Sequence, residues 1–221
     1  MRQAFFLSML THKKAIFWDN DGILVDTEKY YFEANRQILK KAGFELTWSL
    51  FSDLYLNQAK GAWHLLDPEK YPAESVHNLK KERDDLYHTL LMTKDIQIDG
   101  IENIVAALSK KYKMAVVTSS RPVHFYAIHA RTQLLKYFHF VITPDDYTQY
   151  KPDPEPYLTA LYKMGVNPAE SVVIEDSRRG LLSAKAAGLE CIIVMNELTR
   201  TSDFTEADYV LHDIRRLTDI L

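Results

Sequence analysis

A run of four apolar residues, Ala15 to Trp18, ends abruptly on Asp19-Asn20-Asp21-Gly22. Four residues are too few for a helix and suit a strand buried on both faces. On extended backbone, residues two apart point to the same side, so Asp19 and Asp21 stand together at the end of that strand. Paired carboxylates repel each other unless a cation lies close by. Gly22 then permits a tight turn. A chain that buries a strand and presents an acidic pair at its carboxyl end is strongly constrained. It needs a sheet whose strand ends share one edge, and in parallel α/β sheets that edge is where ligands bind.

The pattern repeats along the chain. MAVV at 114–117, FVIT at 140–143, SVVI at 171–174 and CIIV at 191–194 are short apolar runs, most of them β-branched, and read as buried strands. Amphipathic stretches alternate with them. Ile101–Tyr112 repeats apolar residues at helical period, Pro154–Met164 is followed by Gly165 as a C-cap, and Leu181–Ala187 ends at Gly188. The expected fold class is α/β, a Rossmann-like parallel sheet core with helices on both faces.

One interval is too long for this rhythm. About 90 residues separate Gly22 from Met114, where a plain βαβ connection needs roughly 30. The surplus reads as helical: Glu28–Ala42 ends at Gly43, and Glu74–Lys94 holds neither Pro nor Gly. An inserted all-helical cap domain is expected over residues 27–96, with the α/β core built from residues 1–26 and 97–221. The aromatics Trp48, Phe51, Tyr55 and Trp63 read as the core of that insert.

Composition excludes several classes. A net charge of −3 with no basic excess argues against nucleic acid as a partner. No run approaches the roughly 18 apolar residues of a membrane helix. Cys191 is the sole cysteine, so no intramolecular disulfide can form, and a cytoplasmic setting is expected. The first dozen residues lack the features of a signal peptide and are expected to form a mobile tail or a small surface element. A monomer, or at most a weak dimer, is expected. The eight His residues show no metal-ligand spacing.

Three further strands end in reactive groups. MAVV runs into Thr118-Ser119-Ser120, hydroxyl and amide donors for a phosphoryl oxygen. SVVI runs into Glu175-Asp176, an acidic pair suited to Mg²⁺, which prefers oxygen ligands. FVIT leads to Lys151, stiffened by Pro152, with Asp153 and Pro154 at a helix start.

These four segments in this order resemble the haloacid dehalogenase-like hydrolase superfamily. DNDGILVDTE is similar to its first motif, Thr118 to the second, Lys151 in KPDPEPY to the third, and Glu175-Asp176 in IEDSRRGLLSAKAAG to the fourth. The helical insert resembles that superfamily's small cap. The resemblance implies a phosphatase acting on a small phosphorylated metabolite. Asp19 would be the nucleophile that forms an aspartyl-phosphate, and Asp21 the general acid and base. Thr118 and Lys151 would neutralise the phosphoryl oxygens, helped by Ser119 and by the amide of Gly22. Mg²⁺ would be held by Asp19, the backbone carbonyl of Asp21 and Asp176, with Glu175 as a ligand or support. Asp21 argues against carbon–halogen cleavage, because haloacid dehalogenases proper lack that second carboxylate.

An alternative is a sugar phosphomutase resembling β-phosphoglucomutase. That reaction needs a basic anchor in the cap, and the insert shows no obvious basic cluster in sequence. Tyr31 also stands where β-phosphoglucomutases carry a His. Lys60, beside Gly61, is the insert residue expected to reach substrate. Arg178 and Arg179 could contact an anion, but read first as solvated residues on a helix start. Asn20 departs from the apolar residue often found between the two aspartates, and its side chain is expected to face away from the metal.

Overall fold

Each apolar run becomes a strand of one six-stranded sheet in a computed structural model describing residue 10 and residues 12–221. The strands are β1 (Ala15–Trp18), β2 (Lys113–Val117), β3 (Phe140–Ile142), β4 (Ser171–Glu175), β5 (Glu190–Val194) and β6 (Tyr209–Leu211). Their order is β3-β2-β1-β4-β5-β6, and every pairing is parallel. The sequence reading missed β6. It is a three-residue edge strand whose apolar run, YVL, is short, flanked by Asp208 and His212, and only partly buried.

Register decides what the sheet can do. Trp18 of β1 pairs with Val116 of β2 on one side and Ile174 of β4 on the other. The three strands therefore end together, and Asp19, Thr118 and Glu175 emerge at one edge. The chain leaves β1 for β2 on one side and reaches β4 on the other. The edge is thus a topological switch point, where open α/β sheets bind ligands.

Period-two alternation along the strands feeds two apolar layers. Ile16, Trp18, Met114, Val116, Val172 and Ile174 pack against α4 (Ile101–Leu108) and α5 (Pro122–Thr132). Phe17, Val117, Val173 and Cys191 pack on the other face against α6 (Glu155–Met164) and α7 (Arg178–Ala186). Each fully buried Val, Leu or Ile contributes about 1.5–3 kcal/mol. α8 (Leu217–Ile220) closes the first layer through Leu217.

Between β1 and α4 the chain is helical. It forms α1 (Glu28–Lys41), α2 (Trp48–Phe51) running straight into a π-helical stretch at Ser52–Asn57, and α3 (Ala73–Thr93). Ile38, Leu39, Phe51, Leu54, Trp63 and Leu66 form a separate apolar cluster there. A smaller one, including Val25, Tyr87, Leu91 and Ile128, ties α3 to α5.

Most of the expected N-terminal tail, residues 1–9 and 11, lies outside the described residues. Leu10 is fully buried in the first apolar layer, and Lys13 donates to Glu190 (2.8 Å) and to the Ala169 carbonyl (2.9 Å), so these two are fixed to the core. No helix of the described residues is long and apolar enough to cross a membrane.

Candidate active site

Lys151 is the centre of the edge. Its Nζ donates to Asp19 Oδ1 (2.7 Å), Glu175 Oε1 (2.8 Å) and the Val117 carbonyl (2.9 Å). An ammonium has three protons, so all are engaged. The residue is 2 % exposed. Burial opposes its charge, but Asp19 and Glu175 outweigh that and raise its pKa. The Asp153 carboxylate accepts from the Glu155 amide (2.9 Å) and so starts α6 just after Lys151.

Glu175 is saturated in turn. Its Oε1 also accepts from the Tyr157 hydroxyl (3.0 Å), and its Oε2 accepts from the amides of Asp176 (3.1 Å) and Ser177 (3.2 Å) and the Ser177 hydroxyl (3.0 Å). Burial works against the Glu175 charge, but Lys151 and the Ser177 amide outweigh it and hold the carboxyl below its ordinary value. A Cβ on Gly180 would lie 1.8 Å from Glu175 Oε1, so α7 needs glycine there. The sequence reading passed over Gly180. Its signal was present, because glycine in a helix costs about 1 kcal/mol and asks for a reason.

Asp19, Glu175 and Asp176 each bring a carboxylate oxygen within 4.8 Å of the others. Asp19 is pushed up to about 7, chiefly by burial and then by Glu175, with Lys151 opposing. Asp176 is raised well above its ordinary value by burial and by Glu28, Glu175 and Asp19. Glu28 adds a further buried carboxyl, pushed up to about 8 by burial and by Asp21, with Arg179 opposing. The site thus holds five carboxylates (Asp19, Asp21, Glu28, Glu175, Asp176) against the cations Lys151 and Arg179. That negative excess, in oxygen donors, fits a hard divalent cation such as Mg²⁺. Because the Glu175 oxygens are spent on donors, Asp19 and Asp176 are the side chains with capacity to spare.

Gly22 is required, but not as first expected. Its amide donates to the Val25 carbonyl (2.8 Å), so the donor assigned to substrate is used inside the turn. Glycine is needed because φ is +81° and a Cβ would lie 2.0 Å from Asp176 Oδ2. Asp176 Oδ2 also accepts from Asn196 Nδ2 (2.8 Å).

Asp21 faces a different way from Asp19. Its Oδ1 accepts from the Thr27 hydroxyl, and its Oδ2 from the Ser120 hydroxyl and from Asn20 Nδ2 (3.2 Å). Thr118 is fully buried. Its Oγ1 accepts from the Ser120 amide (2.9 Å), which leaves the hydroxyl proton to donate.

Asp21 opens onto a cavity of about 360 Å³ between the sheet edge and the helical insert. Ser119 and Lys60 line it, as do three of the aromatics read as insert core: Phe51, Tyr55 and Trp63. Lys60 is an exposed residue at its mouth. Sequence reasoning did not single out Arg83 or His124, which also line it. Arg83 is buried and donates to Tyr31 Oη (2.9 Å) and Asn35 Oδ1 (2.8 Å). His124 is buried with neither ring nitrogen bonded among the described residues. Arg179, read as a solvated helix-start residue, is partly buried, and its Nε has no partner among the described residues. Lys80 and Arg83, about one turn apart on α3, and Lys60 also line the cavity, and Arg83 Nε donates to Asp84 Oδ1 (2.8 Å).

The family model for haloacid dehalogenase-like hydrolases matches residues 16–194. Among curated relatives, a phosphorylated carbohydrates phosphatase of Thermotoga maritima is 32% identical over 183 residues, covering 81% of this chain and 83% of that protein. Validoxylamine A 7'-phosphate phosphatase of Streptomyces hygroscopicus subsp. limoneus is 32% identical over 211 residues, covering 92% and 94%. Among solved structures, CbbY from Rhodobacter sphaeroides in complex with phosphate superposes with a TM-score of 0.79 at 25% identity, over 93% of this chain and 96% of that one.

Proposed function

The chain belongs to the haloacid dehalogenase-like hydrolases, as a phosphatase, and on that premise we propose Mg²⁺-dependent hydrolysis of a small phosphoric monoester through an aspartyl-phosphate on Asp19. The observation that carries this reading is the convergence of Asp19, Asp176 and the Lys151 ammonium beside a cavity that opens on Asp21.

In the first half-reaction an Asp19 oxygen attacks phosphorus and the bond to the leaving oxygen breaks. Asp21, aimed into the cavity, gives that oxygen its proton. In the second, water attacks phosphorus. Asp21 takes its proton, the bond to Asp19 breaks, and phosphate leaves. Lys151 carries positive charge to the oxygen of Asp19 and so to the phosphoryl group beside it, while the Thr118 and Ser119 hydroxyls donate to phosphoryl oxygens. Glu175 acts through Lys151 by fixing its ammonium. Asp19, Asp176 and the Asp21 carbonyl would hold Mg²⁺, which when bound supplies neutralising charge for the nucleophile and the phosphoryl oxygens. Residues 27–96 act as a cap that walls the cavity and excludes bulk water from the acyl-phosphate.

Two relatives act, by name, on phosphorylated carbohydrates or a related phosphate ester. The cavity suits such substrates, because aromatic walls alternate with Arg83, His124 and Arg179. The test is a phosphate-release screen over a metabolite library with and without Mg²⁺. No release from any monoester would end this reading.

The presence of Lys60, Lys80 and Arg83 among the residues lining the cavity favours a second reading, a β-phosphoglucomutase-like phosphomutase, since basic groups there can anchor a second phosphate. Products from a hexose 1-phosphate separate the two. Free phosphate marks a phosphatase, and an isomerised sugar phosphate marks a mutase.

A further inference from the structure

We propose that Asn20 and His129 form a positioning pair that sets the carboxyl of Asp21 for proton transfer, an inference that rests on the reading of Asp21 as acid and base. Asn20 is fully buried, between two site carboxylates. A buried amide costs free energy unless its polar atoms are bonded, and here they are. Asn20 Oδ1 lies 2.8 Å from His129 Nε2, and Asn20 Nδ2 donates to Asp21 Oδ2 at 3.2 Å. Its side chain thus joins His129 to Asp21.

The chain of bonds has one direction. His129 sits on α5, 3 % exposed, with Nδ1 2.9 Å from Thr132 Oγ1. Burial lowers its pKa to about 4, so the ring is neutral and has one N–H. Asn20 Oδ1 can only accept, so that proton is on Nε2. Nδ1 then accepts from the Thr132 hydroxyl, whose oxygen accepts from the Leu134 amide (3.4 Å). Donation runs from Leu134 to Thr132, His129, Asn20 and Asp21. Each link fixes the next.

The imidazole therefore does something an apolar neighbour could not. Were the Asn20 amide flipped, its oxygen would face the Asp21 carboxylate and its NH₂ would face the His129 N–H. The Asp21 carboxylate rejects that oxygen, and the His129 Nε2–H completes the other end by donating to Asn20 Oδ1, so the two neighbours together keep a donor against Asp21. With Ser120 on the same oxygen and Thr27 on the other, Asp21 is held by three donors from three elements.

The discriminating measurement is leaving-group dependence. An alkyl phosphate needs a proton on its departing oxygen, whereas p-nitrophenolate leaves without one. kcat/KM reports only the steps up to departure of the alcohol, so the base role of Asp21 on water does not intrude. The wild type, Asn20→Leu, His129→Leu and His129→Gln are compared on p-nitrophenyl phosphate and on the best alkyl phosphate of the metabolite screen. Asn20→Leu and His129→Leu are expected to lose roughly ten- to a hundred-fold in kcat/KM on the alkyl ester and less than about threefold on the aryl ester. His129→Gln, whose amide can still donate to Asn20, is expected to recover most of the loss. Equal losses on both esters, no loss, or a Gln variant no better than Leu would overturn the pair. A wild type inactive on both esters would instead overturn the phosphatase reading beneath it. Melting temperatures separate a misfolded His129→Leu from a misaligned one, and Asn20→Leu tests the same link independently.

Discussion

The two sides of the site are built to opposite standards. Around Asp19, each proton of Lys151 and each oxygen of Glu175 has a partner within the protein. Around the cavity, buried polar atoms of Glu28, Ser119, His124 and Arg179 have none among the described residues. Buried polar groups are ordinarily satisfied, so several exceptions lining one cavity ask for a ligand. The contrast separates two tasks. Phosphoryl chemistry needs charges fixed before substrate arrives. Recognition needs donors and acceptors that substrate completes.

The sharpest way to break this division is at the saturated side. Asp19→Asn is expected to abolish turnover, by at least about a thousandfold, because an amide is a poor nucleophile. Full activity in a phosphate-release assay would remove the mechanism. Next comes Lys151→Met, which leaves two buried carboxylates without their cation. A loss of about 3–5 kcal/mol in stability is expected, read by chemical denaturation, together with roughly a hundredfold fall in kcat. A stable variant would mean that the Lys151 network is not the rigid element described.

The carboxylate cluster gives a pH signature. Asp19 and Glu28 are raised to about 7 and about 8. A raised carboxyl means the folded state binds more protons than the unfolded one. Stability is then fully present below about pH 4 from this source and is lost as pH rises through 7 to 8. Without divalent cation, the melting temperature is expected to fall across that window. Millimolar Mg²⁺ is expected to flatten the slope, and chelation to abolish activity reversibly. A slope indifferent to Mg²⁺ would separate the cluster from metal binding.

The open side predicts smaller, substrate-dependent effects. Arg83→Met is expected to raise KM about tenfold with kcat nearly unchanged, the worth of one charged hydrogen bond. Lys60→Ala, at the exposed mouth, is expected to raise KM about two- to threefold. A fall in kcat from either would mean that the insert reaches the reacting atoms. Unchanged constants for Lys60→Ala would remove it from substrate binding.

Legibility followed the same division. The strand ends were readable because a short apolar run stopped by a polar residue is a local pattern: Asp19, Thr118 and the Glu175-Asp176 pair each end one, and Lys151 follows FVIT after a loop. Arg83 was not readable, since an Arg in the middle of a charged helix looks the same whether it faces water or Tyr31. His124 and His129 carried no spacing that marks a role. β6 was passed over because its apolar run, YVL, is only three residues long and stays partly exposed at the sheet edge.

What the sequence alone determined is the parallel sheet, its catalytic edge and the reactive groups on it. Backbone periodicity and strand length are properties of consecutive residues. What only the tertiary structure decided is which atoms meet across that edge. It spent the Gly22 amide on Val25, turned Asn20 between His129 and Asp21, and brought Lys60 and Arg83 to the same cavity as Ser119 and Arg179. Those outcomes depend on packing between segments as far apart as residues 20 and 129, and no local pattern records a contact at that distance.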